Sequence, residues 1–211
     1  EQLYIDLGAT SVEDCPVNVG DTGVFDRGYM ELGNRLVSKA MDDRIAVAIL
    51  IETLKALKQT PHELYFAFSV QEEVGLRGAV TAAFGVDPDL GIAIDVTRTG
   101  DTPKSARMAV ELGKGPAVKV RDARMLADPR VIRLMVETAK KNNLPYQLEV
   151  LEGGSTDAAA IQLTRSGVPS GCISIPCRYV HHPSEMVDVD DVRHAVSLLT
   201  AIVENPISLA H

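Results

Sequence analysis

Tryptophan is absent from this 211-residue sequence, and aromatic residues make up only 4% of it. Stacking platforms for nucleobases or sugar rings are therefore poorly supplied. A cationic excess is also missing: 21 Lys and Arg stand against 29 Asp and Glu, a formal charge of −8. Binding to a nucleic-acid backbone draws on counterion release by clustered Lys and Arg, so nucleic acid is not expected as a partner. Long apolar runs are lacking too. The longest, Ile45 to Ile51, falls well short of the roughly 18 to 20 residues that a membrane span needs. No basic-then-apolar leader opens the sequence, so neither export nor a membrane partner is expected. Cysteine is scarce: Cys15, Cys172 and Cys177 form no Cys-x-x-Cys pair. An odd, scattered set fits a reducing cytoplasm better than a disulfide framework, and it makes a thiolate metal site unexpected.

What is present, 45% hydrophobic and 24% charged residues, is the composition of an ordinary globular chain with enough length for a substantial core. The first 37 or so residues read as short β-type runs, Leu3 to Gly8, Val19 to Phe25 and Leu32 to Val37, the pattern of a small β module. From residue 38 to 211 strands alternate with helices. Helices are expected over Asp42 to Leu57, Ala79 to Phe84, Pro129 to Lys141, Thr156 to Arg165 and Asp190 to Val203. The first carries an apolar stripe of Ile45, Ile49, Leu50, Leu54 and Leu57, and the last has Asp190 or Asp191 as its cap. Strands are expected over Leu64 to Val70, Gly91 to Val96, Ala106 to Leu112, Tyr146 to Leu151 and Pro169 to Ile175, with Gly113 to Asp128 left as a loop. This rhythm gives an α/β fold with a largely parallel sheet covered by helices.

Ligands of open α/β sheets sit beyond the carboxyl ends of the strands. Reading off those ends gives Gln71-Glu72-Glu73 after one strand, Asp95 at the end of another, and His181 and His182 after a third. Asp42-Asp43 and Gly153-Gly154-Ser155-Thr156-Asp157 stand where loops enter helices. Crowded carboxylates repel unless a cation compensates, and carboxylate with imidazole suits Zn²⁺, Co²⁺ or Mn²⁺. Within Glu72-Glu73, one residue could serve as ligand and the other as base. Each residue also has a plain reading: an Asp pair before a helix is commonly a cap, and Glu pairs and histidines on a surface are commonly solvated.

Five blocks, taken together, resemble the tetrahedral (TET-type) metalloaminopeptidases, a family that includes glutamyl aminopeptidases and CelM-like proteins. They are Lys39-Ala40-Met41-Asp42-Asp43-Arg44, Gln71-Glu72-Glu73-Val74-Gly75-Leu76-Arg77-Gly78-Ala79, Ile94-Asp95-Val96-Thr97, Gly154-Ser155-Thr156-Asp157-Ala158 and Pro176-Cys177-Arg178-Tyr179-Val180-His181. The resemblance implies a phosphorylase/hydrolase-like three-layer sandwich with a mixed, mostly parallel sheet. Residues 1–37 would be the tail of an inserted β domain used in dimerisation, and 38–211 the catalytic domain without its N-terminal part. It also implies two divalent ions, Zn²⁺ or Co²⁺. Asp42 would be shared between them, Glu73 and His181 would complete one site, and Asp95 would serve the other. Glu72 would be the general base, taking a proton from the attacking water and passing it to the leaving amine. The expected activity is removal of N-terminal residues from peptide substrates by a homo-oligomer, dimer to dodecamer in full-length form.

One element of the family pattern has no match. The family takes a second histidine from an upstream His-x-Asp motif, and no His precedes His62 here. The resemblance therefore implies a truncated chain that is inactive alone. Two other classes stay open at this point: a non-catalytic scaffold that keeps the fold, and another dinuclear amidohydrolase such as a carboxypeptidase or deacylase.

Overall fold

The computed structural model describes residues 4–209. Glu1, Leu3 and His211 lie outside them, so the first expected strand is only partly in view. Residues 4–29 carry no strand. The chain then forms β1 (Met30–Leu32) and β2 (Arg35–Ser38), a hairpin turned at Gly33-Asn34 with Met30 opposite Val37. The single strand expected over Leu32 to Val37 is thus split by its own turn dipeptide, with Gly33 at φ 60°. The division drawn between residues 37 and 38 falls within β2, which joins the main sheet.

Among the described residues that sheet has seven strands. It continues through β3 (Gly91–Arg98), β4 (Ala117–Arg121), β5 (Gln147–Val150), β6 (Ser170–Arg178) and β7 (Glu185–Asp188). The order is β1-β2-β7-β6-β4-β5, with β3 also paired to β6. The sheet is mixed. Its longest ladder, β3 with β6, is parallel, as is β4 with β5, while β1–β2, β2–β7, β4–β6 and β6–β7 are antiparallel.

Among the described residues five helices cover it: α1 (Met41–Ala56), α2 (Arg77–Val86), α3 (Pro129–Lys141), α4 (Asp157–Gln162) and α5 (Val189–Val203). Alternate residues of a strand face opposite sides. Ile94 and Val96 of β3, with Ile173, Ile175 and Cys177 of β6, meet Ile45 and Ile49 of α1, Met135 of α3 and Leu198 of α5. Ala93 and Cys172, on the other face, meet Ala158 and Ala159 of α4 beside Leu76 at the start of α2. Three layers result, as the resemblance implies.

Four further sequence expectations are corrected. Leu64 to Val70 has no strand pairing among the described residues; Leu64 packs on the core, while Tyr65, Phe68 and Val70 are exposed. An apolar run states a preference for burial, and a strand also needs a neighbour to bond. The segment is instead held by the approach of α2, where Gly78 N donates to Val70 O, and a Cβ on Gly78 would lie 2.5 Å from Val70 N.

Ala106 to Leu112 is likewise not a strand. Val110 and Leu112 are buried because the loop is strapped down, with Gly100 N bonded to Val110 O and Leu112 N to Asp101 Oδ2. The strand lies later, in β4, where the charged Lys119 masks the pattern. That ammonium is fully buried and paired with Glu149 of β5, which also accepts from Thr97.

In α1, Thr53 occupies the buried stripe and Leu54 is 45% exposed, because Ile45, Ile49 and Thr53 hold the four-residue spacing. Finally, the α5 cap is Asp188, whose carboxylate accepts from Asp190 N and Asp191 N. Asp191 turns instead to the backbone N–H groups of Gly113 and Gly115, at 2.7 Å each.

Asp188 also pairs with Arg35 and accepts from Asn34 Nδ2 at 3.0 Å, so one buried carboxylate ties β2 to the start of α5. Asp188→Ala removes a cap and leaves Arg35 without its partner, and is expected to cost about 2 kcal/mol. Urea unfolding, read as a lower midpoint at unchanged slope, checks this.

Candidate metal centre

All but one of the acidic side chains are delivered by breaks in regular structure. Asp42 and Asp43 stand at the entry of α1, after Ala40 at φ 53°, and both have non-helical backbone angles; the peptide bond between them is cis. Glu72 and Glu73 lie in a turn after Gln71 at φ 59°, closed where Gly75 N and Leu76 N donate to Glu72 O. Asp95 stands within β3 and is buried, its Oδ1 accepting from Val96 N at 2.7 Å. His181 follows β6 and adopts φ 66°, two residues after Tyr179 at φ 62°. Left-handed backbone at non-glycine residues costs free energy and gathers where side chains must be aimed.

These residues converge. His181 Nε2 lies 3.1 Å from Asp42 Oδ2 and 3.3 Å from Glu73 Oε2. Two groups of side chains could each hold a metal ion: Asp42, Glu73 and His181, and then Asp42, Asp43 and Asp95. Asp42 is common to both. The four residues singled out as ligands in the sequence are thus brought together, and Asp43, read there as part of the acidic rim but not as a ligand, joins them. His182 turns away, its Nδ1 lying 3.0 Å from Val180 O.

Electrostatics argue for a cation here. Burial first, then the charges of Glu73 and Glu185, push the Asp42 carboxyl up to about 7. Burial, followed by Asp157, Glu73 and Asp42, raises Glu72 to about 7 as well. Asp95 is held well above its ordinary value by burial, then by Asp42 and Glu72. Asp43 is raised in the same way, by burial and then by Asp95 and Asp42. Crowded, half-buried carboxylates that resist ionisation are those that a divalent cation would compensate, and the carboxylate-plus-imidazole donor set fits Zn²⁺ or Co²⁺.

Beside Glu72, Asp157 at the start of α4 accepts from the Ser69 hydroxyl, while its Oδ1 is buried without a hydrogen-bond partner. The Gly154-to-Ala158 block therefore has a place at the site. Sequence reasoning missed Asp43 as a possible ligand and Glu185 altogether. Asp43 could have been found from its adjacency to Asp42. Glu185 lies in β7, a short strand with no alternating pattern to reveal it.

Comparison with known proteins gives this arrangement its setting. The sequence profile of the M42 glutamyl aminopeptidases matches residues 1–198. The chain belongs to that family. Among M42 relatives it is 50% identical over 204 residues to a putative aminopeptidase of Acetivibrio thermocellus, covering 96% of this chain and 62% of that protein. The structure superimposes on aminopeptidase APDkam598 from Desulfurococcus kamchatkensis with a TM-score of 0.91 and 44% identity, over 95% of this chain and 59% of the other. Pyrococcus horikoshii TET1, described as assembling into a tetrahedron or a large octahedral shell, matches with a TM-score of 0.73 at 34% identity, over 85% of this chain and 53% of that one. The chain thus spans about three fifths of the length of such M42 relatives. Among the described residues, no helix is long and apolar enough to cross a membrane.

Proposed function

We propose that this chain carries the greater part of the catalytic site of a metal-dependent aminopeptidase that releases N-terminal residues from peptides. The observation that supports it most directly is the placement of Asp42 within ligand reach of two separate groups, one holding His181 and Glu73 and the other Asp43 and Asp95. Asp42 would be the shared ligand of a pair of Zn²⁺ or Co²⁺ ions. Glu73 and His181 would complete one site, and Asp95 would serve the other. When bound, the ions would supply Lewis-acid polarisation of the scissile carbonyl and lower the pKa of the attacking water.

The protein's own part is proton handling and orientation. Glu72 accepts a proton from the attacking water and delivers it to the leaving amine. Its raised proton affinity, about 7 without a cation, suits a group that must both take and give a proton near neutrality. A second histidine ligand, expected upstream by family resemblance, has no counterpart in these 211 residues, and the unmatched two fifths of the M42 relatives leave room for one. The chain alone is then expected to turn over little. Residues preceding β1 belong, in this reading, to the inserted β domain, and the assembled protein is a homo-oligomer, as TET1 is described to be. Three free cysteines suit a reducing, cytoplasmic setting.

The test is hydrolysis of aminoacyl anilides by the product of the full open reading frame, with Co²⁺ or Zn²⁺ added. Cleavage is expected for a free α-amine and to vanish when the amine is acetylated. Equal cleavage of the blocked substrate would indicate an endo- or carboxypeptidase instead, and no cleavage of either would favour a scaffold.

A further inference from the structure

Glu185 opens β7 and is 2% exposed. Its two carboxylate oxygens are both in use, each by a different backbone amide. Oε2 accepts from Asp42 N at 3.0 Å, and Oε1 accepts from His181 N at 2.7 Å. The two amides belong to residues far apart in the sequence, one at the broken entry of α1 and the other in the loop after β6. No Lys, Arg or His forms an ion pair with Glu185 among the described residues.

A buried anion without a cation is costly, and hydrogen bonds from two amides offset that only in part. An apolar side chain would hold β7 in the sheet more cheaply. What an apolar side chain could not do is fix the main chain of Asp42 against that of His181. Register places Glu185 for this task, because it faces Ser38 of β2 while its neighbour Met186 faces Arg178 at the end of β6. The carboxylate therefore stands between the strand that leads into α1 and the strand that leads to His181.

We infer that Glu185 is a positioning residue of the metal centre: its carboxylate clamps the backbones of Asp42 and His181 so that their side chains meet. The inference rests on the reading of Asp42 and His181 as ligands. The charged acceptor matters as well as its shape. Charge-assisted bonds from both amides hold tighter than neutral ones, and a cation held by the two side chains would supply the countercharge the buried carboxylate lacks. Partners behind ligands act in this way in metal sites, and their loss weakens metal affinity roughly 10- to 100-fold.

Co²⁺ titration followed by visible absorption and calorimetry tests it on the unmodified chain, on Glu185→Gln and on Glu185→Asp. Glu185→Gln preserves volume but turns an NH₂ group toward one of the two amides. Glu185→Asp keeps the charge but is too short to reach both. Both variants are expected to bind Co²⁺ roughly 10- to 100-fold more weakly, with a changed absorption band and with faster hydrogen exchange at the Asp42 or His181 amide. A merely structural residue would lower thermal stability and leave affinity and band unaltered among the molecules that fold; that result overturns the inference. Should Glu185→Gln fail to fold, Glu185→Asp and the amide exchange of the unmodified chain decide, since unprotected Asp42 and His181 amides would equally overturn it. Tight binding by the unmodified chain and both variants sinks the clamp alone, whereas absence of Co²⁺ binding by the unmodified chain sinks the metal reading and the clamp with it.

Discussion

Glu72→Gln is expected to lower kcat on an aminoacyl anilide roughly 100- to 10,000-fold, the range for loss of a general acid–base group, while leaving Co²⁺ affinity unchanged. The substitution keeps size and one acceptor oxygen but cannot take a proton. Because Glu73, not Glu72, lies with Asp42 and His181, the metal site should be indifferent to it. A variant that loses metal along with turnover would reassign Glu72 as a ligand, and a fully active one would remove it from the mechanism. The pH profile adds a second reading. If Glu72 is the base, the ascending limb of kcat/KM would belong to its deprotonation, and a bound cation should draw that limb below the value near 7 that burial and the neighbouring carboxylates give Glu72 without metal.

The second large effect is on stability. Asp42 and Glu72 both titrate near 7 in the folded chain without metal, against ordinary values of 3.8 and 4.5. Between about pH 4 and pH 7 the folded state therefore holds more protons than the unfolded one, so stability falls as pH rises across that interval. Above it both states are ionised and the loss is complete. In EDTA the melting temperature is expected to drop between pH 5 and pH 8 by several degrees, corresponding to about 2 kcal/mol for a chain of this size. Added Co²⁺ or Zn²⁺ should reverse the trend, because a cation binds the ionised carboxylates and only in the folded state. Fluorimetry over that range, with and without metal, measures it. A melting temperature that rises with pH in EDTA would mean the carboxylates are not crowded as described.

Much of the site was legible in the sequence because its residues stand beside or within strongly patterned elements. Asp95 interrupts the apolar residues of β3, and Asp42 precedes the stripe of Ile45 and Ile49. The boundaries of α3 were equally plain, with Pro129 at its start and Lys140 and Lys141 at its end. What escaped was whatever depends on partners distant in the chain. Lys119 reads as a surface residue until Glu149 is set beside it. Leu64 to Val70 reads as a strand because composition reports burial preference and not pairing. Glu185 carries no local signal at all, since its meaning lies in two amides on other elements.

The left-handed residues around the site have a consequence for how such a chain can change. Ala40, Gln71 and Tyr179, each beside a ligand and none of them one, hold a backbone shape that glycine would adopt more readily. Replacing one by glycine would ease a local burden, yet it would also widen the range of directions in which a ligand could point. The shortest route to a sturdier molecule thus runs through the residues whose rigidity the chemistry needs. Selection for heat resistance and selection for turnover would pull these three positions in opposite directions, and sturdiness would have to be gained elsewhere in the fold.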